Sequence, residues 1–286
     1  MFNCRYWHSG NQPGLFQPVL PAGYTIVTAR SERLAESTKI VEQQGSQLRV
    51  ALVTGAGRGI GRTIAVALAH AGYALCLAAR TFEQLAETRA ICGLEPRISL
   101  IVLIDLAESD APENLIRALL DHYGRLDVLI NNAGFAPPRT PLVKISPEDQ
   151  DRMLSVNLRA PIALARMAAG QMMQQPEGGI IINIASITGR NASAGESVYA
   201  AAKSGLIAFT HATAAEFRNS RIRTSVILPG LTDTSLIPQN KRLERTAMLQ
   251  PADVATAVMG VLNAPPHVCP LEVVLQPARD PMRSGH

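Results

Sequence analysis

Thr54-Gly55-Ala56-Gly57-Arg58-Gly59-Ile60-Gly61 follows directly on the short apolar run of residues 50–53 and leads into a stretch of helical character, residues 60–71. Glycines at such a junction let the chain turn tightly, admit a pyrophosphate to the main chain and bring the helix close to the strand. With a strand before it and a helix after it, the loop reads as a phosphate cradle and not as a plain turn. Further apolar runs, short and nearly continuous, occupy residues 74–79, 98–103, 128–130, 179–184, 224–228 and 272–275. Helices are predicted between them at residues 82–92, 112–123, 147–175, 198–219 and 251–262, and Ser146-Pro147-Glu148 offers an N-cap followed by proline at the first helical position. Continuous apolar strands separated by helices imply a parallel sheet covered on both faces. The fold expected for residues 49–286 is therefore a single α/β domain, a doubly wound parallel sheet of about seven strands.

The 286 residues are 47% hydrophobic and 17% charged with only 4% aromatic, which suits one substantial core and excludes a disordered or fibrous chain. A net charge of +4 is a small excess, and no basic run interleaves with aromatics as a nucleic-acid groove requires, so no nucleic-acid partner is expected. The densest apolar stretches, residues 161–169 and 179–185, are interrupted by Arg166 and Asn183 and fall short of the ~18–20 residues that span a bilayer, so no membrane partner is expected either. Cys4, Cys76, Cys92 and Cys269 stand far apart without a CxxC pair, and the six histidines are scattered. No metal site is expected, and the cysteines read as free thiols in a reducing, cytoplasmic compartment. Residues 1–48 have a different texture, punctuated by Gly10, Pro13, Gly14, Pro18, Pro21, Gly23 and Gly45, with residues 31–44 the one piece of helical character. They lack the continuous apolar run of a signal peptide, and Glu32, Glu36 and Glu42 argue against a transit peptide. Two readings stay open: a flexible arm, or a mis-assigned start with translation beginning later, for instance at Val41.

The spacing of Gly55, Gly59 and Gly61 behind Thr54 departs from the ordinary dinucleotide fingerprint and resembles that of the short-chain dehydrogenase/reductase family, a resemblance that extends over about residues 49–277. It implies a Rossmann-type fold in which Gly55, Arg58, Gly59, Ile60 and Gly61 border a nicotinamide dinucleotide. At the end of the second strand an NAD enzyme is expected to carry an acid for the ribose 2′-hydroxyl. Here the chain reads Ala78-Ala79-Arg80-Thr81. A guanidinium at Arg80, helped by Arg58, can pair with a 2′-phosphate, so the expected cofactor is NADP(H) in preference to NAD(H). The resemblance further implies that Asp105 and Leu106 meet the adenine, and that Asn131, Ala133 and Gly134 of Asn131-Asn132-Ala133-Gly134 lie beside the adenosine ribose. It also implies that Pro229, Gly230, Thr232 and Thr234 line the nicotinamide, with Thr234 the best match for its carboxamide contact.

Tyr199 and Lys203 are four residues apart on a predicted helix and so share a face. An ammonium beside a phenol favours the phenolate, and the expectation is that Lys203 draws the Tyr199 pKa down from ~10 toward the range of a general acid/base. Ser186, thirteen residues earlier at a strand end, can hydrogen-bond a reacting carbonyl oxygen. By resemblance Ser186, Tyr199 and Lys203 form the catalytic set, Tyr199 and Lys203 also touch the cofactor, and Asn157 extends a proton relay through a water. The chemistry implied is hydride transfer between nicotinamide and a carbonyl or secondary alcohol. Substrate choice is expected in residues 135–144 and 235–249, where Lys241, Arg242 and Arg245 would suit an anionic or carrier-bound acyl group. The chain is similar to the 3-oxoacyl-[acyl-carrier-protein] reductase branch, although Leu271-Glu272-Val273-Val274-Leu275-Gln276-Pro277 departs from the glycine-rich ending common there, which keeps a general ketone or aldehyde substrate open. The rival reading is a catalytically silent cofactor-binding scaffold or regulator on the same fold, against which the complete Ser–Tyr–Lys set speaks. A serine hydrolase is excluded, because Ile184 and Thr188 stand where a nucleophile elbow needs glycine. Ala200, Ala201, Ala202, Ser204 and Gly205 would permit close helix packing, and by resemblance this helix and residues 147–175 pair across a two-fold axis in a homodimer or homotetramer.

Overall fold

Successive residues of the first long strand enter opposite cores. Val50 and Leu52 pack on one side of the sheet and Ala51 and Val53 on the other, all 2% exposed or less. This two-sided burial is what the continuous apolar runs encode. The computed structural model describes residues 24–25, 48–235, 237 and 243–282. In chain order the elements are β1 (Tyr24–Thr25), β2 (Val50–Thr54), α1 (Gly59–His70), β3 (Ala74–Ala79), α2 (Phe82–Cys92), β4 (Ser99–Leu103), α3 (Ala111–Tyr123) and β5 (Val128–Asn131). They continue as α4 (Pro147–Leu154), α5 (Ala160–Met172), β6 (Gly179–Ile184), α6 (Ser197–Glu216), β7 (Ile222–Pro229), α7 (Pro251–Leu262) and β8 (Glu272–Leu275). The helix expected at 31–44, Cys4, and the cations Lys241 and Arg242 lie outside the described residues.

The seven strands β2–β8 form one parallel sheet in the order β4-β3-β2-β5-β6-β7-β8, and the two-residue β1 pairs with the outer edge of β4, Tyr24 opposite Ile101 and Thr25 opposite Val102. Ile64, Leu68, Leu85, Val254 and Val258 bring α1, α2 and α7 onto one face of the sheet. Leu115, Leu119, Leu164 and Ala168 bring α3 and α5 onto the other, with Leu206 and Ile207 of α6 beside them against Val226 and Leu228. Strand order reverses at β2, which has β3 on one side and β5 on the other, so the loops leaving β2 and β5 diverge and open a crevice at the carboxyl edge.

One predicted element is corrected. Residues 147–175 do not form a continuous helix: α4 ends at Leu154, a π-helical turn spans Ser155–Arg159, and α5 follows. Pro161 has no N–H, so the carbonyl of Asn157, four residues earlier, finds no donor in the α-helical pattern, and the ladder slips at this point. The helix predicted at 198–219 ends at Glu216, and the strand predicted at 224–228 runs over Ile222–Pro229. Cys76 and Cys92 are buried free thiols and Cys269 is an exposed one. Among the described residues no His/Cys/Asp/Glu group is arranged to hold a metal ion, and no helix is long and apolar enough to cross a membrane.

Candidate active site

The glycine loop is built so tightly that side chains would break it. Gly55 and Gly59 hold φ of +66° and +54°, in the left-handed region. A Cβ on Gly61 would lie 2.2 Å from the Gly55 carbonyl oxygen and 2.4 Å from Asn132 Nδ2. The first turn of α1 has no side-chain cap, so its N–H groups are left for an anion. Arg58 sits at the N-cap with extended backbone and an exposed side chain, next to Gly59 and Ile60. Thr54 ties the loop to the turn after β5: its hydroxyl donates to the Ile130 carbonyl (3.2 Å) and accepts from Asn132 and Ala133 N–H (3.0 Å each). Asn132 Nδ2 donates back to the Thr54 carbonyl (2.9 Å). Gly134 lies against Asn157, whose Oδ1 would be 3.2 Å from a Cβ there.

Asn131 braces the sheet. Its side chain is 2% exposed and turns into the sheet, donating to Asn183 Oδ1 (2.9 Å) and the Pro161 carbonyl (3.3 Å), while Asn183 donates to Thr210 (2.9 Å). This buried polar chain ties β5, α5, β6 and α6 together, and it leaves Asn131 only its backbone to offer the crevice. Leu106 likewise buries its side chain in the core. Arg80 and Asp105 stand at the ends of the adjacent β3 and β4. Asp105 accepts from the Ala107 N–H (3.0 Å) and from Arg152 Nη2 (2.6 Å), with Arg80 Nη1 at 4.0 Å. Burial raises the carboxyl pKa, but the Ala107 and Arg152 hydrogen bonds and the two guanidinium charges together outweigh it and hold Asp105 below its ordinary value.

At the other end of the crevice, β6 delivers Ser186 and α6 delivers Tyr199 and Lys203. Ser186 is in hydrogen-bond contact with Tyr199, and its Oγ also accepts from Thr188 N–H (3.1 Å). Lys203 is 3% exposed; its Nζ donates to the Ile184 carbonyl (3.0 Å) and lies 5.7 Å from the centre of the Tyr199 ring. The expected lowering of the Tyr199 pKa does not appear. Desolvation pushes it up to about 12, against the Ser186 hydrogen bond and with the Glu196 charge adding to the rise. Burial also brings Lys203 down to about 8. A low-polarity site disfavours both charged forms at once, and the ammonium is directed to the Ile184 carbonyl.

Asn157, on the π-helical turn, is fully buried. It accepts from Phe135 N–H (3.3 Å) and donates to the carbonyls of Phe135 (2.6 Å) and Met153 (2.9 Å). Beyond β7, which ends at the buried Pro229, Gly230 N–H bonds the Leu275 carbonyl (2.7 Å). The Thr232 hydroxyl donates to the Gly230 carbonyl (3.0 Å), and Thr234 reaches the glycine loop, its Cγ2 3.5 Å from where a Cβ on Gly59 would lie. Arg245 forms a clasp: it donates to Asp233 through Nε (2.8 Å) and Nη2 (2.6 Å), and to the Thr234 carbonyl (3.1 Å).

Three contributors were not singled out by the sequence. Arg62 pins the glycine loop from α1, donating to the Gly57 carbonyl while paired with Glu87 (2.7 Å). Gly189 lets the Ser186 turn lie on α6, since a Cβ there would be 2.9 Å from the Lys203 carbonyl carbon. The third is Arg152. Only Gly189 has a local signal, a glycine three residues past Ser186.

The sequence model of the short chain dehydrogenase family matches residues 49–245. The chain belongs to this family. A Homo sapiens 3-oxoacyl-[acyl-carrier-protein] reductase is 34% identical to this short-chain dehydrogenase over 223 residues, 76% of the chain and 92% of the relative. The Homo sapiens 15-hydroxyprostaglandin dehydrogenase [NAD(+)] is 34% identical over 68% of the chain and 73% of the relative. Among solved structures, a metagenomic short-chain oxidoreductase in complex with NADP is 33% identical with a TM-score of 0.69, covering 82% of this chain and all of its own. An alcohol dehydrogenase from the archaeon Thermococcus sibiricus complexed with 5-hydroxy-NADP is 26% identical with a TM-score of 0.72, covering 84% of this chain and all of its own. The short-chain dehydrogenase described here is an oxidoreductase by family.

Proposed function

We propose that this short-chain dehydrogenase is an NADP(H)-dependent enzyme that interconverts a carbonyl and a secondary alcohol. The observation that carries the reading is the gathering of Ser186, Tyr199 and Lys203 at the carboxyl end of β6, at the crevice bordered by the glycine loop. The cradle of Gly55, Gly59 and Gly61, which a Cβ would fill, fits a dinucleotide pyrophosphate at the uncapped start of α1. Arg80 with Arg58 favours the 2′-phosphate form, in keeping with the NADP complexes of the two solved relatives; the prostaglandin dehydrogenase, by its name, uses NAD(+). Asp105, Leu106 and the backbone of 131–134 would border the adenosine, and Gly230, Thr232 and Thr234 the nicotinamide.

When bound, the nicotinamide supplies or accepts the hydride. Ser186 Oγ orients the substrate oxygen, and the Tyr199 hydroxyl, kept protonated by its surroundings, donates the proton in the reducing direction. Lys203 keeps its ammonium 5.7 Å from the centre of the Tyr199 ring, and Asn157 fixes Phe135 at its N–H and carbonyl. The substrate is a small ketone, aldehyde or 3-oxoacyl thioester. The exposed small face of α6, Ala201, Ser204, Ala208 and Ala212, suits pairing of two copies in a homodimer or homotetramer. The family reading and the free thiols together favour the cytoplasm.

Parallel fluorescence titrations with NADPH and NADH, followed by turnover on a carbonyl panel, test the proposal. Tighter binding of NADPH is expected, with Arg80→Ala weakening it about tenfold or more. Tyr199→Phe is expected to keep cofactor binding while turnover drops roughly 10²–10⁴-fold. Wild-type protein that binds neither cofactor, or a Tyr199→Phe variant of unchanged turnover, refutes it.

A further inference from the structure

Parallel pairing of β3 with β4 sets Arg80, one residue past Ala79, beside Asp105, two past Leu103. Left to themselves, a guanidinium and a carboxylate at adjoining strand ends would pair. Here they meet only at 4.0 Å, the long limit of an ion pair, and both carboxylate oxygens have nearer donors: Ala107 N–H at 3.0 Å on one and Arg152 Nη2 at 2.6 Å on the other. Arg152 comes from α4, 47 residues after Asp105, and its guanidinium also lies 5.4 Å from the centre of the Phe135 ring. Phe135 is in turn fixed at both its N–H and its carbonyl by Asn157, so Arg152 rests on a braced support. The Arg152–Asp105 pair is about 30% exposed at each side chain, whereas Arg80 is 59% exposed.

We propose that Arg152 is a positioning residue for cofactor selectivity: by occupying Asp105 it keeps the Arg80 guanidinium available for a 2′-phosphate. This rests on the reading that Arg80 meets that phosphate. Without Arg152, Asp105 draws Arg80 into a closer ion pair, and one guanidinium has to serve both the carboxylate and the incoming phosphate. This weakens the phosphorylated cofactor far more than NADH, which has only hydroxyls at that end.

The test is equilibrium binding of NADPH and NADH, by nicotinamide fluorescence and by calorimetry, to the purified full chain and to Arg80→Ala, Arg152→Met, Arg152→Lys and the double variant Arg152→Met/Asp105→Asn. Arg152→Met is expected to lower the NADPH-over-NADH affinity ratio about tenfold, with NADH binding within about twofold of wild type. Arg152→Lys keeps most of the ratio because the charge remains. The double variant regains it, because the competing carboxylate charge is gone. Equal loss of both cofactors in Arg152→Met, or no recovery in the double variant, overturns the proposal while the Arg80 reading stands. An Arg80→Ala variant that binds NADPH as wild type does removes the cofactor reading, and this proposal with it.

Discussion

Lys203 carries its charge where only 3% of the residue is exposed, with the Ile184 carbonyl as an acceptor at 3.0 Å. Burial brings its pKa down to about 8 from 10.5. The unfolded chain therefore holds a proton between pH 8 and 10.5 that the folded chain has released, and stability contributed by this group rises with pH through that window. Below pH 8 the folded protein bears the full cost of a buried ammonium, up to about 3 kcal/mol. Lys203→Met is accordingly expected to melt higher than wild type at pH 7, with the gap shrinking by pH 10, while turnover is lost. Scanning calorimetry at the two pH values reads this directly, and a gap independent of pH contradicts it. Tyr199, Lys203 and Ser186 are legible in the sequence because spacing on one helix and position at a strand end are local properties. Their proton affinities are not, because desolvation comes from the packed surroundings. Arg152 was hidden for a related reason: its partner Asp105 lies on another element 47 residues away.

Among the elements, strands were the easiest to read, since burial on both faces leaves unbroken apolar runs such as Leu75-Cys76-Leu77. The break between α4 and α5 left one faint sign, Pro161 four residues past Asn157, in a window otherwise of uniform helical character. The segment after β7 is less legible, because Arg245 looks from sequence like a surface cation near the substrate. In the fold it bridges Asp233 and the Thr234 carbonyl, and Thr232 and Asp233 pair alongside Leu249. That clasp holds the backbone at Thr234, whose Cγ2 faces Gly59. Arg245→Ala is expected to weaken cofactor binding by roughly three- to tenfold and to speed proteolytic nicking within residues 231–249, with Arg245→Lys intermediate. Unchanged titration and cleavage patterns would argue that the clasp is ornamental.

At the scale of the molecule, the reversal of strand order at β2 collects loops from β2, β3, β4, β5, β6 and β7 at one edge, which is why residues from Gly55 to Thr234 converge on one crevice. The strand Tyr24–Thr25 pairs with Ile101 and Val102 on β4. A chain starting at residue 48 is expected to keep its cofactor affinity and to melt within a few degrees of the full chain, about 3 °C. It should also self-associate more readily through the bared β4 edge. A melting point lower by 10 °C or more in differential scanning fluorimetry would make residues 1–47 part of the domain. The slipped turn at Ser155–Arg159 bears on the same architecture. Each residue of an α-helix advances about 100° around its axis, and the π-helical turn takes up one extra residue between α4 and α5. Deleting one residue of α4 itself, between Arg152 and the turn, would swing Arg152 round by about that angle, carrying it off Asp105 while α5 stayed on the sheet. The count of residues between Arg152 and Asn157 is thus fixed to the unit, and natural or engineered length changes should be tolerated in residues 136–145 and nowhere on the helix that follows.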